Sequence, residues 1–294
     1  MASHQPFRSP EAAAKRRNVI LASVVAGLAI VAMIAVVVIV LILPDHDVPA
    51  GPSAAAPQVT TTVSDLPIRT EPLTTTAAPL QGVPGLPPFK PSAGLGSNCQ
   101  YPPTTGSAGK PVNPPTSGKV PTDPAHVAAT IDTTAGAIGL QLAKNESPCT
   151  VNSFVNLAQQ KFLDGSLCHR LTTSPGLSVL QCGDPKGDGT GGPGYKFADE
   201  YPTDQYPPDD PAGHQPVVYP RGTLAMANSG PNTNGSQFFL VYKDSELPPN
   251  YTVFGTIGEN GLATLDKIAA SGVSRGRDDG PPATAVTINS VRLD

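Results

Sequence analysis

The most informative part of the sequence is Leu224-Ala-Met-Ala-Asn-Ser-Gly-Pro-Asn-Thr-Asn-Gly-Ser-Gln-Phe-Phe239, in which a small apolar run, a polar turn and an aromatic pair follow one another. Its Gly-Pro-Asn-Thr-Asn-Gly part must be a loop, because proline fixes φ and Asn-Gly favours left-handed backbone. Residues 238–241 then have the pattern of a strand, in which one phenylalanine faces inward and the next faces the opposite side. The stretch therefore predicts a loop that leads into a core strand.

The composition predicts one folded domain behind a long tail. Only 5% of the 294 residues are aromatic, and 18 of the 35 prolines lie between Pro44 and Pro124, among many Thr, Ala, Gly and Ser residues. Such a segment has few large apolar groups, so we expect a disordered linker over 44–124. The rest, 125–294, has the size of a single domain. The small net charge of −4 argues against a nucleic-acid partner.

An uncharged apolar run from Val19 to Leu43 predicts a transmembrane helix. A helix of this length would extend about 37 Å, which is enough to cross a bilayer core of about 30 Å. The alternative is a cleaved signal peptide, whose apolar region is usually only about 7–15 residues long, with cleavage after Ala50 or Ala56. Basic residues precede the run and two aspartates follow it, which predicts that the tail 1–18 is cytoplasmic and that everything after the run is exported.

The domain is predicted to be mostly β. The segments with strand patterns are 127–131, 136–142, 168–172, 179–183, 222–228, 237–242, 252–257 and 285–293. Two further segments, 150–161 and 261–270, carry apolar residues at helical spacing. A stretch rich in Gly, Pro and Asp over 184–220 should contain little regular structure. An antiparallel barrel with two helices covering its ends fits this order.

The quoted stretch closely resembles the most recognisable segment of the cyclophilins, the peptidyl-prolyl cis-trans isomerases. Three more segments resemble that family, the first two with a cysteine in place of phenylalanine or glycine: Cys168-His-Arg-Leu171, Gln181-Cys-Gly-Asp184 and Tyr251-Thr-Val-Phe-Gly255. The resemblance extends over roughly 127–293 and suggests a membrane-anchored bacterial B-type member. It implies a closed antiparallel eight-stranded barrel capped by two helices, behind the transmembrane helix and the linker.

The resemblance implies that Arg170 is the catalytic residue. The X–Pro bond resists rotation by about 18–20 kcal/mol because the nitrogen lone pair is delocalised, and a fixed cation near that nitrogen stabilises the twisted state. The alternative role for Arg170 is a structural ion pair. No cofactor is required. The residues implied to bind the substrate are His169, Val179, Gln181, Ala227, Asn228, Gln237, Phe239, Leu247 and Tyr251.

The chain departs from the family just after Arg170. Extra residues over 172–175 leave the alignment open, so that the family's pocket phenylalanine falls on either Leu177 or Ser178. The tryptophan of some members is absent, and Glu246 lies near its place. We therefore expect a smaller and less aromatic pocket, with weaker binding of cyclosporin.

All four cysteines lie on the predicted outer side of the membrane, where disulfides persist. Four cysteines allow three pairings, and four unpaired thiols are the alternative. In the family, the strands that carry Cys168 and Cys182 are antiparallel neighbours, so the resemblance implies a possible disulfide between them. Because there is no Cys-x-x-Cys motif and the five histidines are scattered, we expect no metal site. The acidic pair Asp278-Asp279 is expected to be solvated in a loop.

The predicted function is that of an isomerase anchored in the cell membrane by a single span, with its domain outside the cytoplasm. Its partners would be proline-containing peptide segments of exported proteins, whose folding it would assist. The alternative is a non-catalytic peptide-binding module, or an envelope scaffold, that uses the same groove. The joint presence of Arg170, Gln181, Asn228 and Phe239 favours the enzyme.

Overall fold

The structure, a computed structural model, describes residues 82–106 and 108–294. The predicted cytoplasmic tail, the predicted membrane span over 19–43 and the linker up to residue 81 lie outside these residues. Over the two described ranges, no helix is both long enough and apolar enough to cross a membrane.

The described residues form eleven strands and two α-helices. The strands are β1 (His126–Thr133), β2 (Gly136–Ala143), β3 (Arg170–Thr172), β4 (Val179–Cys182), β5 (Val217–Tyr219), β6 (Thr223–Met226), β7 (Phe238–Val241), β8 (Ser245–Leu247), β9 (Val253–Ile257), β10 (Asp279–Gly280) and β11 (Ile288–Leu293). The helices are α1 (Pro148–Gln159) and α2 (Glu259–Ala270). All eight predicted strands and both predicted helices are present. The sequence analysis missed β5, β8 and β10, which have two or three residues each and are too short to show a period.

Nine of the strands form one curled antiparallel sheet, in the order β10-β3-β4-β7-β6-β9-β2-β1-β11. The other two, β5 and β8, pair with each other. The mostly-β fold with two helices is therefore confirmed, but the sheet has nine strands where eight were predicted, because β10 adds two residues beside β3. The backbone just before β3 also bonds to the start of β11 and to the residues before it: Gly165 N–H donates to Ile288 O over 2.7 Å, and Cys168 N–H donates to Val286 O over 2.9 Å. These bonds bring the segment before β3 beside the start of β11, but β10 and β11 remain the edge strands, so the sheet is a curled half-barrel and not the closed barrel that was predicted.

The apolar core consists of two clusters on opposite faces of the sheet. Along β7, Phe238 and Leu240 belong to the larger cluster, whereas Phe239 and Val241 belong to the smaller one. This alternation is the period of a strand, and it confirms that the two phenylalanines face opposite sides. Helix α1 closes the larger cluster with Phe154, whose ring centroid lies 5.6 Å from that of Phe238. Both phenylalanines of β7 are buried. Phe238 lies in the larger cluster, and Phe239 lies in the smaller cluster, which the β5–β8 pair covers.

Helix α1 begins against a carboxylate from a distant loop. The first N–H groups of a helix have no partner within it, and here the N–H groups of Cys149 and Thr150 donate to the carboxylate of Glu200 over 3.0 and 2.8 Å. The hydroxyl of Thr150 donates to the same carboxylate over 2.7 Å. Pro148 occupies the first turn, where its missing N–H costs nothing. Glu200 thus fixes the irregular segment before β5 to the helix, and burial raises its pKa to about 7.

Residues 82–106 and 108–124 lie against the domain. Cys99, Tyr101 and Val120 are buried in the larger cluster, and Cys99 forms a disulfide with Cys149 of α1. Earlier in the segment, the ring of Phe89 packs against the smaller cluster. The composition predicts a disordered linker over 44–124, whereas described residues of this range, among them Phe89, Cys99 and Tyr101, pack on the domain; residues 44–81 lie outside the described ones. A few anchoring residues and a disulfide hold a proline-rich chain on the surface without giving it a periodic pattern.

Candidate functional site

A cavity of about 170 Å³ brings most of the predicted site residues together. Its lining consists of Arg170, Leu177, Val179, Gln181, Ala227, Asn228, Phe239, Leu247 and Tyr251. Eight of the ten residues predicted to act on the substrate or to bind it therefore line one cavity. His169 and Gln237 are not part of this lining.

The sheet register explains why these side chains meet. Arg170 of β3 lies opposite Gln181 of β4, Gln181 lies opposite Phe239 of β7, and Phe239 lies opposite Ala225 of β6. Residues that lie opposite one another on antiparallel strands point to the same face. Four strands therefore present one row of side chains, with a cation at one end and small and aromatic groups at the other.

Arg170 is held from two sides. Its Nε donates to Asp279 Oδ1 over 2.8 Å, its Nη2 donates to Asp279 Oδ2 over 2.7 Å, and its Nη1 donates to Gln181 Oε1 over 3.3 Å. The hydrogen bonds to Asp279 raise the pKa of the guanidinium, which stays charged. The ion pair that was considered as the alternative role is therefore present. It leaves Nη1 on the side of Gln181, and Arg170 still lines the cavity.

The ion pair between Arg170 and Asp279 places Asp279 beside the cavity, which the sequence does not predict. The Asp278-Asp279 pair is expected to be solvated in a loop; the side chain of Asp279 is indeed 51% exposed, but the residue belongs to β10 and bonds to the candidate catalytic side chain. The hydrogen bond from Arg170 holds the pKa of Asp279 below its usual range. Arg170 and Asp279 are 109 positions apart in the sequence, and a strand of two residues is too short to show a strand pattern.

Gln237 acts through Gln181. The Nε2 group of Gln181 donates to Gln237 Oε1 over 2.9 Å, and Gln237 Nε2 donates to the carbonyls of Gly189 and Gly191, each over 2.9 Å. This chain of amides fixes the oxygen of Gln181 toward Arg170. Gln237 itself lies in the wall of a second cavity of about 330 Å³, next to the first.

The second cavity adjoins the first, and the two share three lining residues: Gln181, Ala227 and Asn228. Its other walls come from the loop 189–196, from residues of the loop 229–237, and from Thr104 and Gly106 of the N-terminal segment. The backbone of that segment is tied to the loop, since Thr104 N–H donates to Gly194 O over 2.9 Å. The sequence analysis placed residues 104 and 106 in the linker and so missed them.

Asn228 presents its backbone to both cavities. Its side chain is occupied within the loop, because Nδ2 donates to Asn250 O over 2.7 Å and Oδ1 accepts from Gly230 N–H over 3.1 Å. Among the residues that the structure describes, the N–H and the carbonyl of Asn228 have no hydrogen-bond partner. Both groups are therefore free to form hydrogen bonds.

The apolar end of the cavity contains two aromatic rings. The centroids of Phe239 and Tyr251 lie 5.7 Å apart at an interplanar angle of 80°, and Leu247 and Val179 complete the wall. Leu177 also lines the cavity. Ser178, the other candidate for the position of the family's phenylalanine, does not line the cavity and is buried with its N–H bonded to Ser245 Oγ.

His169 and the cysteines lie behind the cavity. His169 is half-buried and lines neither cavity, and burial lowers the pKa of its imidazole. Cys168 and Cys182 form a disulfide with their Cα atoms 4.0 Å apart. The next residue, Gly183, has φ +86°, and a Cβ there would lie 2.2 Å from Ser236 O, so only glycine allows this approach of the chains.

Comparison with known proteins gives consistent matches. The family described as cyclophilin type peptidyl-prolyl cis-trans isomerase/CLD matches residues 128–293. The probable peptidyl-prolyl cis-trans isomerase B of Mycobacterium tuberculosis is 68% identical over 211 residues, which cover 72% of this chain and 68% of that protein. The protein of the same name from Mycobacterium leprae is 68% identical over 209 residues, or 71% of each chain. Peptidyl-prolyl cis-trans isomerase B of Streptomyces anulatus is 38% identical over 183 residues, which cover 56% of this chain and 95% of that protein.

The family match covers more than half of the chain and includes both the curled sheet and the cavity. The two mycobacterial relatives extend the likeness at high identity beyond the family domain. The chain belongs to the cyclophilin-type peptidyl-prolyl cis-trans isomerases, and it has their activity.

Proposed function

We propose that this protein isomerises X–Pro bonds in exported proteins and thereby assists their folding. In this proposal the span 19–43 anchors it in the cell membrane as a B-type member. Arg170 is its catalytic residue. The observation that carries the catalytic part is that Arg170 lines the same cavity as an apolar socket, which is formed by Val179, Phe239, Leu247 and Tyr251. The alternative of a non-catalytic binding module or scaffold is set aside, because the chain has the isomerase activity of its family.

The role of Arg170 follows from the electronic change at the proline nitrogen. Rotation removes the delocalisation of the lone pair and leaves a more basic, pyramidal nitrogen. The Nη1 group of Arg170 is not engaged by Asp279 and would donate a hydrogen bond to this nitrogen. The bond would be stronger in the twisted state than in the planar one, which is the condition for acceleration. A barrier lowered by about 5–7 kcal/mol corresponds to roughly 10⁴–10⁵-fold in rate.

The other cavity residues would hold the peptide while the bond turns. The free backbone groups of Asn228 would bond to one side of the proline, and the amide of Gln181 to the other. The pyrrolidine ring would enter the socket beside Phe239 and Leu247, where burial contributes at roughly 25 cal/mol per Å² of apolar surface. No covalent intermediate is required, because only a rotation takes place.

Two disulfides support a site of action outside the cytoplasm. The bonds Cys99–Cys149 and Cys168–Cys182 pair all four cysteines of the chain. Such bonds persist in oxidising compartments and are rare in the cytosol. The charges around the run Val19 to Leu43 predict the same orientation, with the cysteines outside.

Protease protection tests the anchoring. In intact cells that express the full chain with a tag before residue 1, external protease should release the domain while the tag stays protected. In permeabilised cells the tag should be degraded as well. Recovery of a soluble mature protein that begins near Gly51 would contradict the anchor and indicate a cleaved signal peptide instead.

A further inference from the structure

An aspartate outside the cavity is bonded to the residue that we propose to act inside it. One carboxylate, that of Asp279, accepts from both Nε and Nη2 of Arg170, over 2.8 and 2.7 Å. A bidentate pair of this kind fixes the plane of the guanidinium as well as its distance. We propose that Asp279 is a positioning residue for isomerisation, an inference that rests on the proposed catalytic role of Arg170.

The sheet register places Asp279 where it meets Arg170. Asp279 lies opposite Thr172 of β3, so that Arg170, two residues earlier on the same strand, is its diagonal neighbour on the same face. The short ladder is extended by a bond of 2.8 Å from Thr173 N–H to Asp278 O. Strand β10 adds little to the core, since Asp279 is exposed. Its contacts are with the strand that carries Arg170.

The carboxylate completes a clamp on the guanidinium. Asp279 holds Nε and Nη2 from one side, and Gln181, itself fixed by Gln237, accepts from Nη1 on the other. An arginine side chain has many rotamers in solution. A donor that must meet the proline nitrogen only in the twisted state acts best when its place is fixed beforehand. Loss of Asp279 should therefore lower the rate of the chemical step more than the binding of the peptide.

The chain provides a matched control for this ion pair. Arg221 donates through Nη1 and Nη2 to both carboxylate oxygens of Asp266, each over 2.8 Å. The side chains of this pair are 37% and 54% exposed, against 38% and 51% for Arg170 and Asp279. Arg221 and Asp266 line neither of the two cavities described above. Asp278 offers a second control, because it neighbours Asp279 in the chain.

The test measures kcat and KM separately on the full-length protein with an X–Pro peptide. Asp279→Asn and Asp279→Ala should lower kcat about 10- to 100-fold and change KM by less than about threefold. Asp279→Glu should recover part of the loss, because it restores a carboxylate. Asp266→Asn and Asp278→Asn should leave both constants near those of the wild type. In the background of Arg170→Ala, Asp279→Asn should have no further effect.

A second readout reports on the clamp itself. The Nε–Hε resonance of Arg170 in a ¹⁵N spectrum should be protected from solvent exchange in the wild type and in Asp278→Asn, and should lose that protection in Asp279→Asn. Wild-type kcat in both Asp279 variants, or a loss that persists in the Arg170→Ala background, would overturn the proposal. An active Arg170→Ala protein would refute the catalytic role of Arg170, and this inference with it. An inactive Arg170→Ala beside fully active Asp279 variants would refute the positioning role alone.

Discussion

The disulfide between Cys168 and Cys182 ties the strand that carries Arg170 to the strand that carries Gln181. Cys168 lies two residues before Arg170, and Cys182 directly follows Gln181. Only two residue pairs form the ladder between β3 and β4. Because this ladder is so short, the disulfide is a large part of what fixes Arg170 relative to the amide beside it.

We expect the two disulfides to differ in their effect on catalysis. Replacing Cys168 and Cys182 with Ser should lower the free energy of unfolding by about 3 kcal/mol, and replacing Cys99 and Cys149 by about 4 kcal/mol, because the closed loops are longer in the second case. Only the first pair of substitutions should also lower kcat/KM, by several-fold. Urea unfolding and X–Pro isomerisation of the two double variants check this. Equal activities of both variants would contradict it.

Arg170→Ala should lower kcat/KM roughly 30- to 1000-fold, because it removes the donor that acts on the twisted nitrogen. This factor corresponds to a loss of about 2–4 kcal/mol of transition-state stabilisation. The fold should survive, since the side chain is 38% exposed. The control is Arg221→Ala, which removes a bidentate ion pair of similar exposure away from the cavity, although this pair forms through Nη1 and Nη2 and not through Nε and Nη2. It should cost at least as much stability, because Arg221 also donates to Tyr242 O, and it should leave kcat/KM unchanged. A folded Arg170→Ala protein with wild-type rates would refute the assignment.

The parts of the fold that the sequence predicted are those with a period or a motif. Phe238 and Phe239 belong to different clusters because successive side chains of a strand point to opposite faces. This alternation can be predicted from the sequence once the strand is recognised. The order of the turn residues before Gln237, which resembles the cyclophilins, predicted where the groove lies in the chain. The row from Arg170 through Gln181 to Phe239 needed the strand order as well, and that order came from the family resemblance.

The parts that were missed depend on contacts between distant residues. Asp279 meets Arg170 through a strand of two residues. Thr104 belongs to a proline-rich segment that packs because Cys99 is bonded to α1 and because neighbouring backbone pairs with a loop. Whether Leu177 or Ser178 faces the cavity depends on a local turn, and a shift of one residue in a strand exchanges its two faces. Neither composition nor spacing carries this information.

Glu200 predicts an unusual dependence of stability on pH. Burial raises its pKa in the folded protein to about 7, from an ordinary value of 4.5, although the bonds from Thr150 and Cys149 act in the opposite direction. The folded state therefore binds the proton more tightly than the unfolded state. The contribution of this group to stability is complete below pH 4.5 and is lost as the pH rises through 7.

Between pH 5 and pH 7.5 the free energy of unfolding should fall by about 2 kcal/mol through Glu200 alone. Urea unfolding of the wild type and of Glu200→Gln at both pH values isolates this part, because the variant keeps the side-chain shape but does not titrate. The variant should lack this share of the slope, whatever its absolute stability. Identical slopes in the two proteins would mean that the carboxylate is not desolvated at the start of α1.

The socket predicts a weak response to cyclosporin. The chain has no tryptophan, and Leu177 lines the cavity where the family resemblance implies phenylalanine. Loss of ~100 Å² of apolar contact would cost about 2.5 kcal/mol, near a hundredfold in affinity. We expect X–Pro isomerisation to be inhibited at least about tenfold more weakly than in family members that contain the tryptophan, when peptide and salt are matched.

Leu177→Phe provides the positive control for this expectation. The larger ring should add apolar contact at the rim of the cavity and tighten cyclosporin binding about 3- to 10-fold, while kcat/KM stays within about twofold because Arg170 and Gln181 are untouched. Ser178→Phe should instead destabilise the fold, because Ser178 is 6% exposed and its surroundings have no room for a ring. The inhibition constants for cyclosporin and the melting temperatures of the two variants show whether Leu177 or Ser178 faces the inhibitor. Nanomolar inhibition of the wild type would mean that Leu177 and its neighbours already form a complete socket for the inhibitor.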